Sequence, residues 1–530
     1  MPASSMKVVA GGNERGSVAA SVFVLGALAV MAVAVVTNGK PQIVGPVAAA
    51  LAVFAVTWRR VLAWRSLLAI TIFLIMFVPI KRYDVPASLP FQLEPYRIFI
   101  AFAALGWIAS LLVDPRVRLR RSGIEAPLLL FAVAIVASLL ANPSRVASVS
   151  TQVNKTLVFF LSFFVVFYMT VSCIRRVRDI DFVVKWLVGC GAVLAIFAIV
   201  ERRTNYNFFN HLASWLPLRL NKEGVPDLDL RGGRLRVVAS AQHPIALGAA
   251  FAMLVPLGIY TAKTTGKARW TIATVLITLA MFSTGSRTAV LMILVIAIVF
   301  AWLRWREMKR LWPALLPMVV VLHVAAPGAL GTIKESFFPK GGLIAQQQDA
   351  PEGHARLSTL GPTLHREVYP HPAFGLGFAT RVTMETVEPD GTIIPGNARI
   401  LDDQWLGVLA ETGLIGFVAF GWMFIRFVRR AGRDAKHDRS QRGWLLTATV
   451  ASVAGYGAGM FTYDAFSFIQ VTLLLFLVLG LGCAAWKATP EPADEVPVGP
   501  TRRPRAPRPP RRPEGPRRRV PAPGYARSGV

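Results

Sequence analysis

Acidic residues are scarce in this chain. Only 29 aspartates and glutamates stand against 58 lysines and arginines, a formal net charge of +29 at pH 7. Cysteine is scarcer still: Cys173, Cys190 and Cys483 are the three in 530 residues. All lie in or at the ends of apolar runs, which excludes a disulfide-stapled scaffold and a cysteine metal site and leaves small core residues as their reading. There is no HExxH, no P-loop and no acidic metal cluster, so metal-dependent and nucleotide hydrolysis have no support. Nor is there room for a separate soluble domain, because the longest polar insertion is about 75 residues.

What the chain has is hydrocarbon. It is 54% hydrophobic with a mean hydropathy of +0.50, which points to a polytopic membrane protein. Apolar runs near the length needed to cross a ~30 Å hydrocarbon core recur along it. They fall at about 17–36, 43–57, 66–80, 96–113, 125–141, 156–173, 182–200, 244–262, 270–284, 287–303, 311–326, 404–425, 443–462 and 467–486. The expected fold is therefore all-α, with about 12–14 transmembrane helices and one long loop before the last three. The first run is read as a retained helix rather than a cleaved signal.

The basic residues sort the loops. With the N-terminus in the cytoplasm and the spans alternating, Arg59-Arg60-Arg65, Arg116-Arg118-Arg120-Arg121, Arg175-Arg176-Arg178, Lys263-Lys267-Arg269, Arg304-Arg306-Lys309-Arg310 and the 426–442 cluster all fall inside. This is the positive-inside bias. The expected organisation is a cytoplasmic segment 1–16, a transmembrane domain 17–486 with outside loops at about 201–243 and 327–403, and a Pro- and Arg-rich disordered cytoplasmic tail 487–530. That tail either fixes topology as a solvated segment or is drawn to anionic lipid. Because the charges sit at span ends and not on one soluble face, a nucleic-acid partner is not expected.

Three outside regions carry candidate chemistry. Arg287 sits in the tight turn Ser283-Thr284-Gly285-Ser286-Arg287-Thr288 between two apolar runs. A guanidinium there either snorkels to the interface or meets an anion. Arg231, Arg234 and Arg236 are basic on the disfavoured side and lead into Gln242-His243-Pro244; they are either compensated by Asp227 and Asp229 or face an anionic partner, and two such sites would suit a diphosphate. The long loop has a Gly- and Gln-rich start, then Leu357, Leu360, Leu364 and Val368 at helical spacing. Pro370, Pro372, Gly375 and Gly377 turn it, and His365 and His371 lie in that stretch. It closes on Asp402 and Asp403 just before a helix starting near Gln404. Acids there cap the first turn, or one of them acts as a general base. Gly413 and Gly416, one turn apart, allow close helix packing.

In this order the pieces resemble the O-antigen ligase and polymerase family of membrane proteins. Arg236 with Gln242-His243-Pro244, Ser286-Arg287-Thr288, Arg356 with His371-Pro372-Ala373-Phe374-Gly375-Leu376-Gly377, and Gln404-Trp405-Leu406 through Glu411-Thr412-Gly413-Leu414-Ile415-Gly416 carry the resemblance, from about Arg231 to Gly416. It implies a metal-independent, cofactor-free glycosyltransferase on the outer face of the plasma (inner) membrane. Such an enzyme takes an undecaprenyl-diphosphate-linked glycan donor to a glycan acceptor hydroxyl. Arg236 and Arg287, assisted by Arg356, would grip the diphosphate, with His371 and Asp403 on the substrate and Asp402 and Arg287 in catalysis. Membrane lipid, a flippase and a chain-length regulator are the implied partners. One departure stands out: the ligase motif has a histidine eleven residues before its first closing glycine, where this chain has Asp402. That favours a polymerase over a lipid A-core ligase. A transporter of lipid-linked glycan, with charges deep in its spans, and a non-catalytic assembly partner are the competing classes.

Overall fold

A computed structural model describes residues 63–86, 94–113, 117–226, 230–231, 234–311, 356–381, 386–387, 393–394, 401–488 and 529. The protein is an all-α polytopic membrane protein. Eight of its helices are long and apolar enough to cross a membrane: α2 Pro95–Val113, α5 Ser150–Cys173, α6 Val177–Thr204, α7 Pro244–Thr265, α9 (Arg287–Leu311), α11 Gln404–His437, α12 (Gln441–Gly459) and α13 Ile469–Lys487. Three shorter apolar helices, α1 Trp64–Phe77, α3 Glu125–Ala141 and α8 Ala268–Ser283, complete the set of membrane-sized elements among the described residues. Two small helices, α4 Pro143–Ser148 and α10 Arg356–Thr363, lie in connections. Each expected span from 66 to 303 and from 404 to 486 meets one of the eleven. The expected spans at 17–36, 43–57 and 311–326, the segment 1–16, the tail beyond Ala488 and the Gly- and Gln-rich start of the long loop lie outside the described residues.

The burial pattern follows from a hydrocarbon solvent. In α13, 94% of the apolar window is buried, and in α7 83%; in α2 only 22% is. The first two therefore form the centre of the bundle, and α2 lines its edge. The outward leucines Leu105, Leu129 and Leu161 are more than 60% exposed on α2, α3 and α5, as lipid-facing positions are free to be. Helix ends are set locally. His243 caps α7, its Nδ1 accepting from Ile245 N at 3.1 Å, and Pro244 occupies the first turn, where its missing N–H is not needed. Gly266, at φ 64°, closes the same helix in the left-handed region.

The connections gather at two opposite ends. At one end, β1 (Tyr83–Asp84) pairs antiparallel with β2 (Arg219–Leu220), Gln242 Oε1 accepts from Ile469 N (3.1 Å), and Gln404 Oε1 accepts from Phe466 N (2.7 Å). At the other, Arg304 donates to Ala435 O (2.8 Å) and Asp438 O (2.6 Å), Arg426 to Gly123 O (2.6 Å), and Arg442 to Ala485 O (3.0 Å) and Trp486 O (2.9 Å). Basic side chains thus finish the orphan carbonyls of neighbouring helix ends.

One expected boundary differs. The 426–442 cluster was expected as a loop after a span at 404–425, but α11 continues to His437. The reason is a break at Gly413 (φ 64°, ψ −168°). It sets the first nine residues of α11 apart and moves the continuous apolar stretch toward its C-terminal end.

Candidate active site at one end of the bundle

Two of the singled-out arginines meet at one turn. Gly285, at φ 60°, lets α8 end and α9 begin within four residues. Arg287 is then the first residue of α9, half-buried, at the positive end of the helix dipole. Arg236 is 4% exposed, and its Nε donates to Thr284 O at 3.1 Å. Residues 48 apart in sequence are thereby fastened to the same turn. Close approach of α7 completes the packing: a Cβ at Gly248 would lie 2.8 Å from Thr284 Oγ1 and 3.1 Å from Ser286 Cβ. Leu230–Arg231 and Arg234–Leu235 form a two-stranded hairpin leading into Arg236.

The stretch Ala239-Ser240-Ala241 beside them is held from behind. Arg82, fully buried, donates to Ala239 O (3.0 Å), to Asn210 Oδ1 (3.0 Å) and to Ala241 O. Burial pushes its guanidinium down to about 10, against the pull of Glu201. Glu201 in turn accepts from Ala239 N (2.8 Å) and Val238 N (3.2 Å). Arg82 and Glu201 position this turn, and sequence reading picked out neither.

The His371 loop docks backbone to backbone on the break in α11. Leu376 N donates to Ala410 O (2.9 Å), and Leu414 N donates to Pro372 O (2.8 Å). Neither glycine at the contact has room for a side chain: a Cβ at Gly375 would lie 2.6 Å from Ala410 O, and one at Gly413 2.3 Å from Ala373 O. Ser138 Oγ caps Glu411 O (2.5 Å), and Asn142 Nδ2 donates to Gly375 O (3.0 Å). Backbone groups freed by the break thus find partners in the loop and in α3, which is the condition for irregular backbone in a membrane protein. The expected helix over 357–368 is present as α10 plus one π-helical turn, Leu364–Val368. His371 sits exposed at the top of this loop, and His365 packs edge-on against Tyr369 at 5.0 Å. The Arg356 backbone opens α10; its side chain lies outside the described residues.

The acidic pair divides. Asp403 is the N-cap of α11, its Oδ1 accepting from Leu406 N at 3.1 Å. Asp402, half-buried, is one residue further out and interacts electrostatically with Asp464. Asp464 leads to a feature that sequence reading missed. A cavity of about 290 Å3 opens at this end of the bundle, lined by Lys81, Lys155, Arg381, Gln404, Glu411 and Asp464. Phe160, edge-on to both Phe378 and Phe466 at 4.7 Å, stiffens one wall.

Arg381 is the electrostatic centre of this cavity. Its Nε donates to Glu411 Oε1 at 2.6 Å, and its Nη2 lies 3.9 Å from Asp464 Oδ2, with all three side chains under 10% exposed. Its Nη1 has no hydrogen-bond partner among the described residues. Gly407 makes room for it, since a Cβ there would lie 3.0 Å from Nη2. Glu411 and Asp464 hold the Arg381 guanidinium well above its ordinary value despite burial. Burial pushes the Asp464 carboxyl up; Arg381 pulls it down, and Glu411 and Asp402 push it up again. Lys81 is lowered by burial and then by Lys155 across the cavity, and its backbone is strained at φ 66°. A charged, hydrogen-bond-rich floor under an aromatic wall is suited to a polyhydroxyl ring.

No curated sequence matches the chain significantly. Residues 272–421 match the family model described as O-antigen ligase. The matched stretch holds the Arg287 turn, the His371 loop, Arg381, Asp402, Asp403 and Glu411; Arg236, Lys81, Lys155 and Asp464 lie outside it. Members of that family are ligases and polymerases of glycosyltransferase type, and the match supports a membrane ligase- or polymerase-type role in surface-polysaccharide synthesis. Over residues 272–421, then, the chain is similar to the O-antigen ligase family.

Proposed function

We propose that this chain is a metal-independent membrane glycosyltransferase that extends a surface polysaccharide from an undecaprenyl-diphosphate-linked donor. The end carrying the Arg287 turn and the cavity faces outward from the plasma (inner) membrane, and both termini are cytoplasmic. The donor diphosphate rests against Arg287 at the amino end of α9, beside Arg236. A cationic fork at a helix N-terminus stabilises charge developing on a leaving diphosphate. The acceptor glycan enters the cavity around Arg381, and Asp402 takes the proton from its attacking hydroxyl. The hydroxyl oxygen bonds to the anomeric carbon as the bond from that carbon to the diphosphate breaks. The new glycan remains lipid-linked, a flippase delivers its substrates, and a chain-length regulator acts beside it.

The observation that carries this reading is the bond from Arg236 to the Thr284 carbonyl, at the head of the helix that Arg287 begins. It supports one anion site built from two separately expected arginines. The test is chain extension by purified protein on a lipid-linked oligosaccharide. Arg287→Ala should abolish it while the protein still folds, and Arg287→Lys should recover part of it. Normal polymer length with Arg287→Ala would remove the diphosphate grip. Movement of the lipid-linked glycan without growth of product would make the protein a transporter instead.

A further inference from the structure

At the opposite end of the bundle the structure holds a second cavity, of about 540 Å3. Four arginines and a lysine line it: Arg120, Arg121, Arg175, Arg176 and Lys487. No carboxylate is among its described lining residues. These side chains come from three places: the stretch before α3, the connection from α5 to α6, and the end of α13. Burial and then the neighbouring Arg175 push the Arg120 guanidinium down, so the fold holds like charges together at a cost. Arg175 spends its Nε on Ser172 O at 3.2 Å, and Lys487 lies over the Trp486 ring at 4.3 Å. Neither contact brings a negative charge. A concave surface lined by one sign of charge focuses its field and concentrates counter-ions. Val177, the first residue of α6, also faces this cavity, which adds the positive end of a 28-residue helix.

Position decides which anion. α5 runs from Lys155, on the wall of the candidate active site, to the connection bearing Arg175; α13 runs from Ile469 on that same wall to Lys487. From Lys155 to Cys173 on α5, and from Ile469 to Lys487 on α13, are 19 residues each, about 28 Å at ~1.5 Å per residue. The basic cavity is therefore about one hydrocarbon thickness from the active site, at the level where lipid head groups lie. Leu119, next to Arg120, is 65% exposed, an apolar side chain beside the charges. Basic pockets between membrane helices at such a level take anionic head groups.

We infer that this cavity binds the phosphate of an anionic glycerophospholipid, with the acyl chains along the exposed apolar surface beside it. The site is separate from the glycan site and does not depend on the function proposed above. The test uses the full-length protein in detergent, titrated with phosphatidylglycerol, phosphatidylethanolamine or inorganic phosphate, with bound lipid counted by native mass spectrometry. Phosphatidylglycerol should bind in preference to phosphatidylethanolamine, and Arg120→Gln/Arg176→Gln should weaken it about tenfold or more. Arg121→Gln/Lys487→Gln should give the same loss, so that misfolding of one variant does not decide the matter. Arg429→Gln/Arg430→Gln removes equal charge from exposed positions on α11 and should leave binding unchanged. Equal loss in that control would reduce the site to diffuse surface charge. Equal retention of phosphatidylethanolamine would overturn the anionic preference, and displacement by inorganic phosphate at matched concentration would make this a soluble-anion site.

Discussion

Gly413→Ala tests the backbone docking on which the candidate site is built. Gly413 sits at φ 64°, ψ −168°, a region almost confined to glycine, where any other residue costs ~1–3 kcal/mol. The added Cβ would also stand 2.3 Å from Ala373 O and 2.4 Å from its carbonyl carbon. Both are backbone atoms, so no rotamer change relieves the clash. The His371 loop must withdraw, which strains or breaks the bond from Leu414 N to Pro372 O. A buried backbone group left without its partner costs a further ~1–3 kcal/mol. The expected destabilisation is therefore ~2–6 kcal/mol, a large part of the ~5–15 kcal/mol typical of a folded domain. Gly421→Ala, in the same helix, is the internal control. The nearest atom to its Cβ is a Trp405 ring carbon at 3.7 Å, and a helix-interior glycine replaced by alanine gains ~0.5–1 kcal/mol. Thermal unfolding in detergent, read by near-ultraviolet circular dichroism, should move in opposite directions for the two variants. If Gly413→Ala unfolds with the wild type, the proposed docking of loop on helix break is wrong.

Four further outcomes follow from the same geometry. Asp403→Ala should cost ~1 kcal/mol through the lost cap, whereas Asp403→Asn still caps and should retain glycan extension; Asp402→Asn should be folded and inactive, and near-normal turnover would remove Asp402 as the base. Arg381→Met strands Glu411 and Asp464 without a counter-charge and should destabilise by ~3–5 kcal/mol, with much of the loss recovered in the triple variant that adds Glu411→Gln and Asp464→Asn; no recovery in chemical denaturation would mean that packing, not charge, is what Arg381 supplies. The folded pKa of Asp464 lies above the ordinary aspartate value of 3.8, so the native state keeps this proton longer than the unfolded chain does. Its contribution to stability is therefore most favourable below 3.8 and falls as pH rises through the raised value. Asp464→Asn should flatten that part of the stability profile, and an unchanged profile would contradict the raised carboxyl.

The helices were legible because hydrophobic runs and basic span ends report on the solvent and not on tertiary detail. The Asp403 cap was legible for the same local reason: an acid one residue before a helix has a donor to meet. Arg236 and Arg287 stood out singly, since each is a charge where the membrane disfavours one, but the turn that joins them is a long-range bond. The cavity was not legible. Lys81, Lys155, Arg381 and Asp464 come from four separated segments, and Arg381 meets Glu411 across 30 residues. Each looks ordinary in its own window. Glu411 stood within a recognised motif, but nothing local says that its carboxylate turns toward an arginine and not toward solvent. Gly413 was read as a packing glycine; it does permit close approach, but through a positive φ that breaks its helix.

The carboxylate at 402 makes more physical sense next to Asp464, which Arg381 partly neutralises, than it does in the motif alone. A histidine at that place would gain a positive charge on taking the acceptor proton, and Glu411 and Asp464 nearby would stabilise that cation. An aspartate loses charge on taking the same proton, so the acids around it help in another way: they raise the proton affinity of their neighbours by repulsion. Asp402 raises Asp464 in this sense, and Arg381 limits the effect by neutralising part of the cluster. In the reading proposed above, Arg381, Glu411 and Asp464 form the charged surroundings of the base at 402, which links the departure from the ligase motif to the missed cavity through Asp464.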